Sequence, residues 1–231
     1  SVYFFWTYLK LPELKRDLTF SIPSGNFGHA YAGWTAKEMG LPIDKLLIAT
    51  NTNDVLHQTF STNNYAKTNV VQTLAPSMDI SVASNFERLL YNLYDDDSSL
   101  LAKNMRSFPE RSIDIPEDKQ ELISSFFKSF KSNDQEILAQ INETHSKTGY
   151  ILDPHTATGV RASDVISIDN PVITMGTAHP AKFTDAIEKA IPDYKSPIPA
   201  KVEMAFMQEE QFSILADNYD EIKKFILTNA L

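Results

Sequence analysis

Leu18-Thr19-Phe20-Ser21-Ile22-Pro23-Ser24-Gly25-Asn26-Phe27-Gly28 decides the fold. Residues 18–22 are a short β-type run that ends at Pro23. A turn follows over residues 24–28. Phe27, Tyr31 and Trp34 then recur at helical spacing, in a stretch that runs to about Met39. Gly40 is a natural helix stop and Pro42 forbids continuation. Lys45 to Thr50 reads as the next strand. Strand, glycine-containing turn, helix and strand within about 30 residues make a βαβ unit, which implies a parallel sheet. The chain has only seven glycines, and three of them fall between positions 25 and 33, so this turn needs an unusual backbone.

Outward from that unit the pattern is mixed. Val2, Phe5, Trp6 and Leu9 repeat at helical spacing and predict a core helix at the start of the chain. Asn85 is placed to cap a helix holding Phe86, Leu89, Leu90 and Leu93. Pro116 suits the first turn of a helix reaching about Phe130. Asp134 suits the cap of another, with Ile137, Leu138 and Ile141 on one face, ending near Gly149. No strand is evident between about 92 and 150, so this stretch is expected to be a helical layer or insertion. Strand character returns at Val172-Ile173-Thr174-Met175. A turn through Gly176-Thr177-Ala178-His179 leads into Pro180 and a helix with Phe183, Ile187 and Ala190. Residues 191–200 carry three prolines and read as a loop, and an amphipathic helix spans about 217–228. The expected fold class is α/β, with a largely parallel twisted sheet and helices on both faces.

Composition narrows the function. The 231 residues are 42% hydrophobic and 22% charged, which suits a packed core and not a disordered chain. The net charge of −9 and the lack of a dense Lys/Arg cluster disfavour a nucleic-acid surface. With no cysteine, disulfides, thiolate catalysis and cysteine metal sites are excluded, and a reducing, cytoplasmic setting fits. The five histidines lack a His-x-x-x-His spacing, so no metal site is expected. The apolar opening, Val2 to Trp6, is far shorter than the roughly 20 residues of a membrane span, so no membrane partner is expected.

The turn at 24–28 has two readings. It is a tight strand-to-helix connection that holds nothing, or it is an anion cradle. The first N–H groups of a helix have no partner within it, and Gly25 and Gly28 would let an anion approach the backbone. Three or four charge-assisted hydrogen bonds of about 1.5–3 kcal/mol each outweigh a diffuse negative charge that salt screens over about 8 Å. Thr177 is likewise open between a site role and a helix N-cap ahead of Pro180.

Several blocks bear on these alternatives together. Ser24-Gly25-Asn26-Phe27-Gly28 is followed by Ala32-Gly33, Met39-Gly40-Leu41-Pro42-Ile43, Ala49-Thr50-Asn51 and Asn53-Asp54. Next come Pro76-Ser77-Met78-Asp79-Ile80, Ser84-Asn85-Phe86-Glu87-Arg88-Leu89-Leu90, Asp153-Pro154-His155-Thr156-Ala157 and Thr177-Ala178-His179-Pro180-Ala181-Lys182-Phe183. In this order they closely resemble the threonine synthases, pyridoxal 5'-phosphate enzymes of the tryptophan-synthase-β-like fold (fold type II). The resemblance implies the conversion of O-phosphohomoserine and water to threonine and phosphate. It implies that Ser24, Gly25, Asn26, Phe27, Gly28 and His29 hold the cofactor phosphate, although the family usually has Asn or Asp where His29 stands. It also implies that the Thr177 hydroxyl meets the pyridine nitrogen.

A pyridoxal enzyme needs a lysine for its Schiff base. In the family that lysine lies well upstream of the Ser-Gly-Asn-Phe-Gly loop, and neither Lys10 nor Lys15 has its context. Lys182 reads as a surface helix lysine. The expectation is that residues 1–231 are the C-terminal portion of the large cofactor domain, inactive alone. Two alternatives stay open: a related phospholyase, and a non-catalytic phosphate- or partner-binding module derived from the fold. His155 is open between approach to the site and a capping or packing role, Arg88 between the substrate phosphate and a structural ion pair. Asp95-Asp96-Asp97 reads as a solvated helix end.

Overall fold

A computed structural model describes residues 1–11, 17–108, 110–195 and 198–229. In chain order the first part is α1 (Val2–Lys10), β1 (Leu18–Pro23), α2 (Gly28–Glu38), β2 (Ile43–Thr50), α3 (Val55–Thr62), β3 (Asn64–Tyr65), α4 (Phe86–Leu93) and α5 (Ser98–Ser107). It continues with β4 (Ile113–Asp114), α6 (Glu117–Phe126), β5 (Phe127–Lys131), α7 (Asp134–Thr148), α8 (Pro154–Val165), β6 (Val172–Thr174) and α9 (Thr184–Ala190). Two compact units result, Ser1–Ser196 and Pro197–Leu231. The second carries α10 (Ala200–Phe206) and α11 (Tyr219–Asn229). The helix expected at 217–228 is α11, and α10 was not anticipated. Residues 196 and 197 of the expected loop lie outside the described residues.

The first unit is built on a four-stranded sheet in the order β5-β2-β1-β6, with every neighbouring pair parallel. Both faces are covered, so the strands bury side chains in both directions. Phe20, Ile22, Leu46 and Ile48 point into a cluster with Ala30 and Trp34 of α2 and Phe86, Leu89 and Leu90 of α4. The alternate residues Leu47 and Ala49 meet Ala162 of α8 on the opposite face. There the Ser21 hydroxyl donates to the Gly159 carbonyl at 2.7 Å. A Cβ on Gly159 would lie 2.9 Å from Thr174 and 3.2 Å from Pro23, so this glycine lets α8 lie flat on the sheet. Outside α8, a third layer joins Ile137 and Ile141 of α7 to Ala157, Ile187 and Ala190.

Three expectations need correction. First, residues 92–150 contain a strand of the central sheet. β5 pairs with β2 from Leu46↔Phe127 to Thr50↔Lys131. Ile123, Phe127 and Phe130 continue a helical spacing across the junction, and no Gly or Pro separates α6 from β5. Pairing along the open edge of β2 wins over that local pattern. Second, the buried residue of α1 is Phe4, 1% exposed, whose ring meets Phe20 at 5.0 Å. Val2, Trp6 and Leu9 are exposed, because α1 touches the rest of the unit along one narrow stripe. Third, the N-cap of α7 is Asn133 in a capping box with Glu136, leaving Asp134 to accept the Leu74 N–H at 3.1 Å. Asn85 does sit at the N-cap of α4, but its side chain makes no cap bond. The acidic run ends in a cap: Asp97 accepts the N–H groups of Ser99 and Leu100, both at 2.9 Å.

Candidate cofactor cleft

β1 stops at Pro23, and the chain must turn through four residues to start α2. Phe27 makes that turn in the left-handed region, at φ 66°. A bulky residue holds that conformation only under strong constraint. The constraint is its ring, which is 1% exposed and packed on Phe86 at 5.2 Å, Phe60 at 5.9 Å and Phe127 at 6.0 Å. The aromatic core therefore fixes the loop backbone.

One consequence is electrostatic. Among the described residues, the backbone N–H groups of Gly25, Asn26, Phe27, Gly28, His29 and Ala30 have no protein acceptor. Ser24 donates its N–H to the Ala49 carbonyl at 2.8 Å, and its buried hydroxyl has no partner. Six consecutive open donors at the end of a strand and the start of a helix suit an anion. The glycines also serve the packing of the protein itself. A Cβ on Gly25 would lie 3.1 Å from both the Met78 Cα and the Ser77 carbonyl oxygen, and one on Gly28 would lie 3.2 Å from the Asn85 amide. Both positions admit neighbouring protein segments at close range.

Those segments are held by polar wiring that joins buried Asn51 and Asn53 to half-buried Thr73 and Asp79. Asp79 Oδ1 accepts from Asn51 Nδ2 at 2.7 Å, Asn53 Nδ2 at 2.8 Å and the Thr73 hydroxyl at 2.7 Å, and its Oδ2 accepts the Thr73 N–H at 2.9 Å. Asn53 also clamps Val71 in both directions. The Ala49-Thr50-Asn51, Asn53-Asp54 and Pro76–Ile80 blocks thus lash the 71–80 segment to the end of β2, where Ser77 and Met78 back Gly25. Asn26 accepts from Ser84 N and Oγ, both at 3.3 Å.

The strand order reverses between β1 and β6, the place where open parallel sheets take ligands. A cavity of about 700 Å³ opens there, lined among others by Trp6, Pro23, His29, Met175, Gly176 and Thr177. Thr177 and His29 therefore line the same cavity, whereas Ser24, Gly25, Asn26, Phe27 and Gly28 are not among its lining residues. His29 is half-buried, its ring 5.4 Å from Phe4, and burial pushes its imidazole below its ordinary pKa. It is then a neutral donor near pH 7. Thr177 is not an N-cap: the turn at Pro180 is capped by His179, whose Nδ1 accepts the Ala181 N–H at 3.1 Å. No lysine among the described residues lines the cavity. Lys10 lies over the Trp6 ring and Lys182 over the Phe183 ring, and Lys15 lies outside the described residues.

Residues from the Asp153 block stand behind the cleft, and their wiring was not legible from spacing. Asp153 caps α8 through the N–H groups of His155 and Thr156. His155 Nε2 accepts the Ser77 N–H at 3.1 Å, a connecting role rather than direct approach to the cavity. Burial would push the Asp153 carboxyl up, but hydrogen bonds from His155 and Thr156 outweigh it and hold the group below its ordinary value. Arg88 makes no ion pair among the described residues, which corrects its structural reading. No cluster of potential metal ligands occurs among the described residues, and none of their helices is long and apolar enough to cross a membrane.

Comparison with known proteins agrees with this architecture. The family model "Threonine synthase, C-terminal" matches residues 156–226. Threonine synthase of Pseudomonas aeruginosa is 38% identical over 228 residues, covering 97% of this chain and 49% of its own length. That of Corynebacterium glutamicum is 35% identical over 221 residues, covering 92% and 46%. The chain therefore spans about half the length of the curated relatives it matches. Among solved structures, the PLP-bound threonine synthase from Brucella melitensis superposes with a TM-score of 0.86 at 38% identity, over 97% of this chain and 49% of that one. Yeast threonine synthase gives 0.82 at 30% identity, over 97% and 50%. With its motifs in order and its α/β fold shared across nearly its whole length, the chain belongs to the threonine synthase family.

Proposed function

We propose that this chain provides the cofactor-holding wall of a pyridoxal 5'-phosphate enzyme that turns O-phosphohomoserine and water into threonine and phosphate in the cytoplasm. The observation that carries the reading is the run of six open N–H groups at Gly25–Ala30, at one sheet edge with Thr177. In this reading Ser24 and the amides from Gly25 to His29 hold the cofactor phosphate, and the Thr177 hydroxyl donates to the pyridine nitrogen. A hydroxyl donates to an unprotonated nitrogen without the charge a carboxylate would bring. When bound, the cofactor supplies the electron sink for chemistry at the substrate carbon. The chain's own residues bind and orient it, and neutral His29 adds a donor at the cavity wall. No lysine among the described residues lines the cavity, which supports a Schiff-base lysine supplied from upstream of this chain; in this reading the chain alone is inactive.

Trp6 lines the cavity and reports on it. Titration of the chain with pyridoxal 5'-phosphate is expected to quench its fluorescence at a concentration at least roughly tenfold below that needed for pyridoxal, the equivalent of one charge-assisted hydrogen bond. Equal quenching by both compounds would remove the phosphate cradle. In the native protein, equimolar threonine and phosphate are expected from O-phosphohomoserine.

A further inference from the structure

Asp153 does more than an N-cap requires. A cap needs one carboxylate oxygen on the first-turn N–H groups, and Oδ1 serves there for His155 at 2.9 Å and Thr156 at 3.2 Å. The rest of the group is committed to two side chains. Oδ2 accepts a hydrogen bond from the Thr156 hydroxyl. Oδ1 also faces His155 Nδ1 at 3.1 Å. All three residues are buried, Asp153 to 2% exposure, so water does not compete for these bonds.

Donor and acceptor roles follow from the chemistry. The Thr156 hydroxyl has one proton, and the carboxylate takes it. Its lone pairs then accept the Thr177 N–H at 3.1 Å. His155 Nε2 accepts the Ser77 N–H at 3.1 Å, so Nε2 is bare and the ring proton sits on Nδ1, aimed at Asp153. One branch thus runs Asp153–Thr156–Thr177, to the β6 side of the cleft. The other runs Asp153–His155–Ser77, to the segment against which Gly25 packs.

We propose that Asp153 is a positioning residue that holds both walls of the cleft through these two branches, fixing Thr177 relative to the loop at Gly25. The wiring stands on the hydrogen bonds themselves. Its weight in catalysis rests on the cofactor reading above.

Amide hydrogen exchange on the labelled chain separates the branches and needs no cofactor. Asp153→Asn is expected to speed exchange at both Ser77 and Thr177 by roughly tenfold or more. Thr156→Val is expected to free Thr177 alone, His155→Leu, which has no acceptor, to free Ser77 alone, and Thr156→Ser, which keeps the hydroxyl, to free neither. In the wild type, His155 should show imidazole nitrogen shifts of the Nδ1–H tautomer. The inference is overturned if Asp153→Asn leaves either amide protected, if exchange rises equally throughout α8, or if His155 carries its proton on Nε2. Should Asp153→Asn fail to fold, the two single-branch variants and the tautomer decide. A parallel titration expects Thr156→Val to take up pyridoxal 5'-phosphate several-fold more weakly. If the wild type takes up none, the cofactor reading fails while the exchange pattern still judges the wiring.

Discussion

The Met175 N–H donates to the Ser21 carbonyl at 2.9 Å, extending the β1–β6 pairing one residue past the end of β6. Ser21 is in register with Thr174. Three residues beyond Ser21 comes the buried Ser24, and three beyond Thr174 comes Thr177. The two segments leave adjacent parallel strands in the same direction and at the same height. The proposed cofactor reading, with a row of amides on one side of a small molecule and a hydroxyl on the other, rests on this adjacency. That adjacency is a property of strand order, because the two segments are about 150 residues apart in sequence.

Gly25→Ala tests how tightly the loop is packed. The added Cβ would lie 3.1 Å from two backbone atoms of the 76–78 turn, and backbone cannot rotate aside as a side-chain tip does. Overpacking of this kind costs about 1–3 kcal/mol and displaces the amide row. Thermal unfolding should record the loss, and pyridoxal 5'-phosphate titration should record weaker uptake. Gly176→Ala is the control: nothing lies within 4 Å of its added Cβ, so stability should stay within about 0.5 kcal/mol.

Phe27→Ala should be more damaging. The side chain is fully buried among three aromatic rings, so truncation leaves a core cavity costing about 3–5 kcal/mol. It also removes the anchor that holds φ at 66°. Urea unfolding with an unchanged slope and a midpoint shifted by that amount is the expected outcome. A shift below about 1 kcal/mol would show that the loop conformation does not depend on the ring.

The βαβ unit was legible because its signals are local: Gly40 at φ 95° ends α2 where expected, and Phe27, Tyr31 and Trp34 keep helical spacing. β5 was not, because what makes it a strand is the open edge of β2 and not its own residues. The site divided along the same line. The Ser24–Gly28 turn and Thr177 stand out in sequence by turn chemistry and family blocks. The roles of Asp79, Asp153 and His155 depend on which distant N–H groups fold back onto them, and no spacing encodes that. Gly25 and Gly28 stand out in sequence, but that their missing Cβ atoms admit Ser77, Met78 and Asn85 depends on distant segments and was not legible there.

Acid should destabilise the fold through its histidines. Burial lowers the pKa of His29, and burial also lowers that of His57. The unfolded chain, with histidine near its ordinary value of about 6.5, takes up protons first as pH falls. Stability is therefore fully present above that value and declines as pH drops through the folded-state pKa. Unfolding free energies measured at about pH 7.5 and about pH 5.5 should differ, lower in acid. His29→Gln should reduce the difference, with His57→Gln reducing it further. A wild type with equal stability at both pH values would mean that neither ring resists protonation.

Asp79→Ala removes the single acceptor shared by Asn51, Asn53 and Thr73. Asn51 and Asn53 keep other partners in the Ala75 and Val71 carbonyls, so the loss falls short of stranding every donor. Buried donors left without a partner cost about 1–3 kcal/mol each, and about 2–4 kcal/mol in total is expected here. The effect should be local before it is global. The 71–80 segment hangs from this carboxylate, so limited proteolysis should cut the variant there at temperatures where the wild type resists. Because Ser77 and Met78 back Gly25, anion uptake by the loop should weaken in step with the new cleavage. Normal uptake alongside rapid cleavage would show that the amide row keeps its shape without the segment behind it.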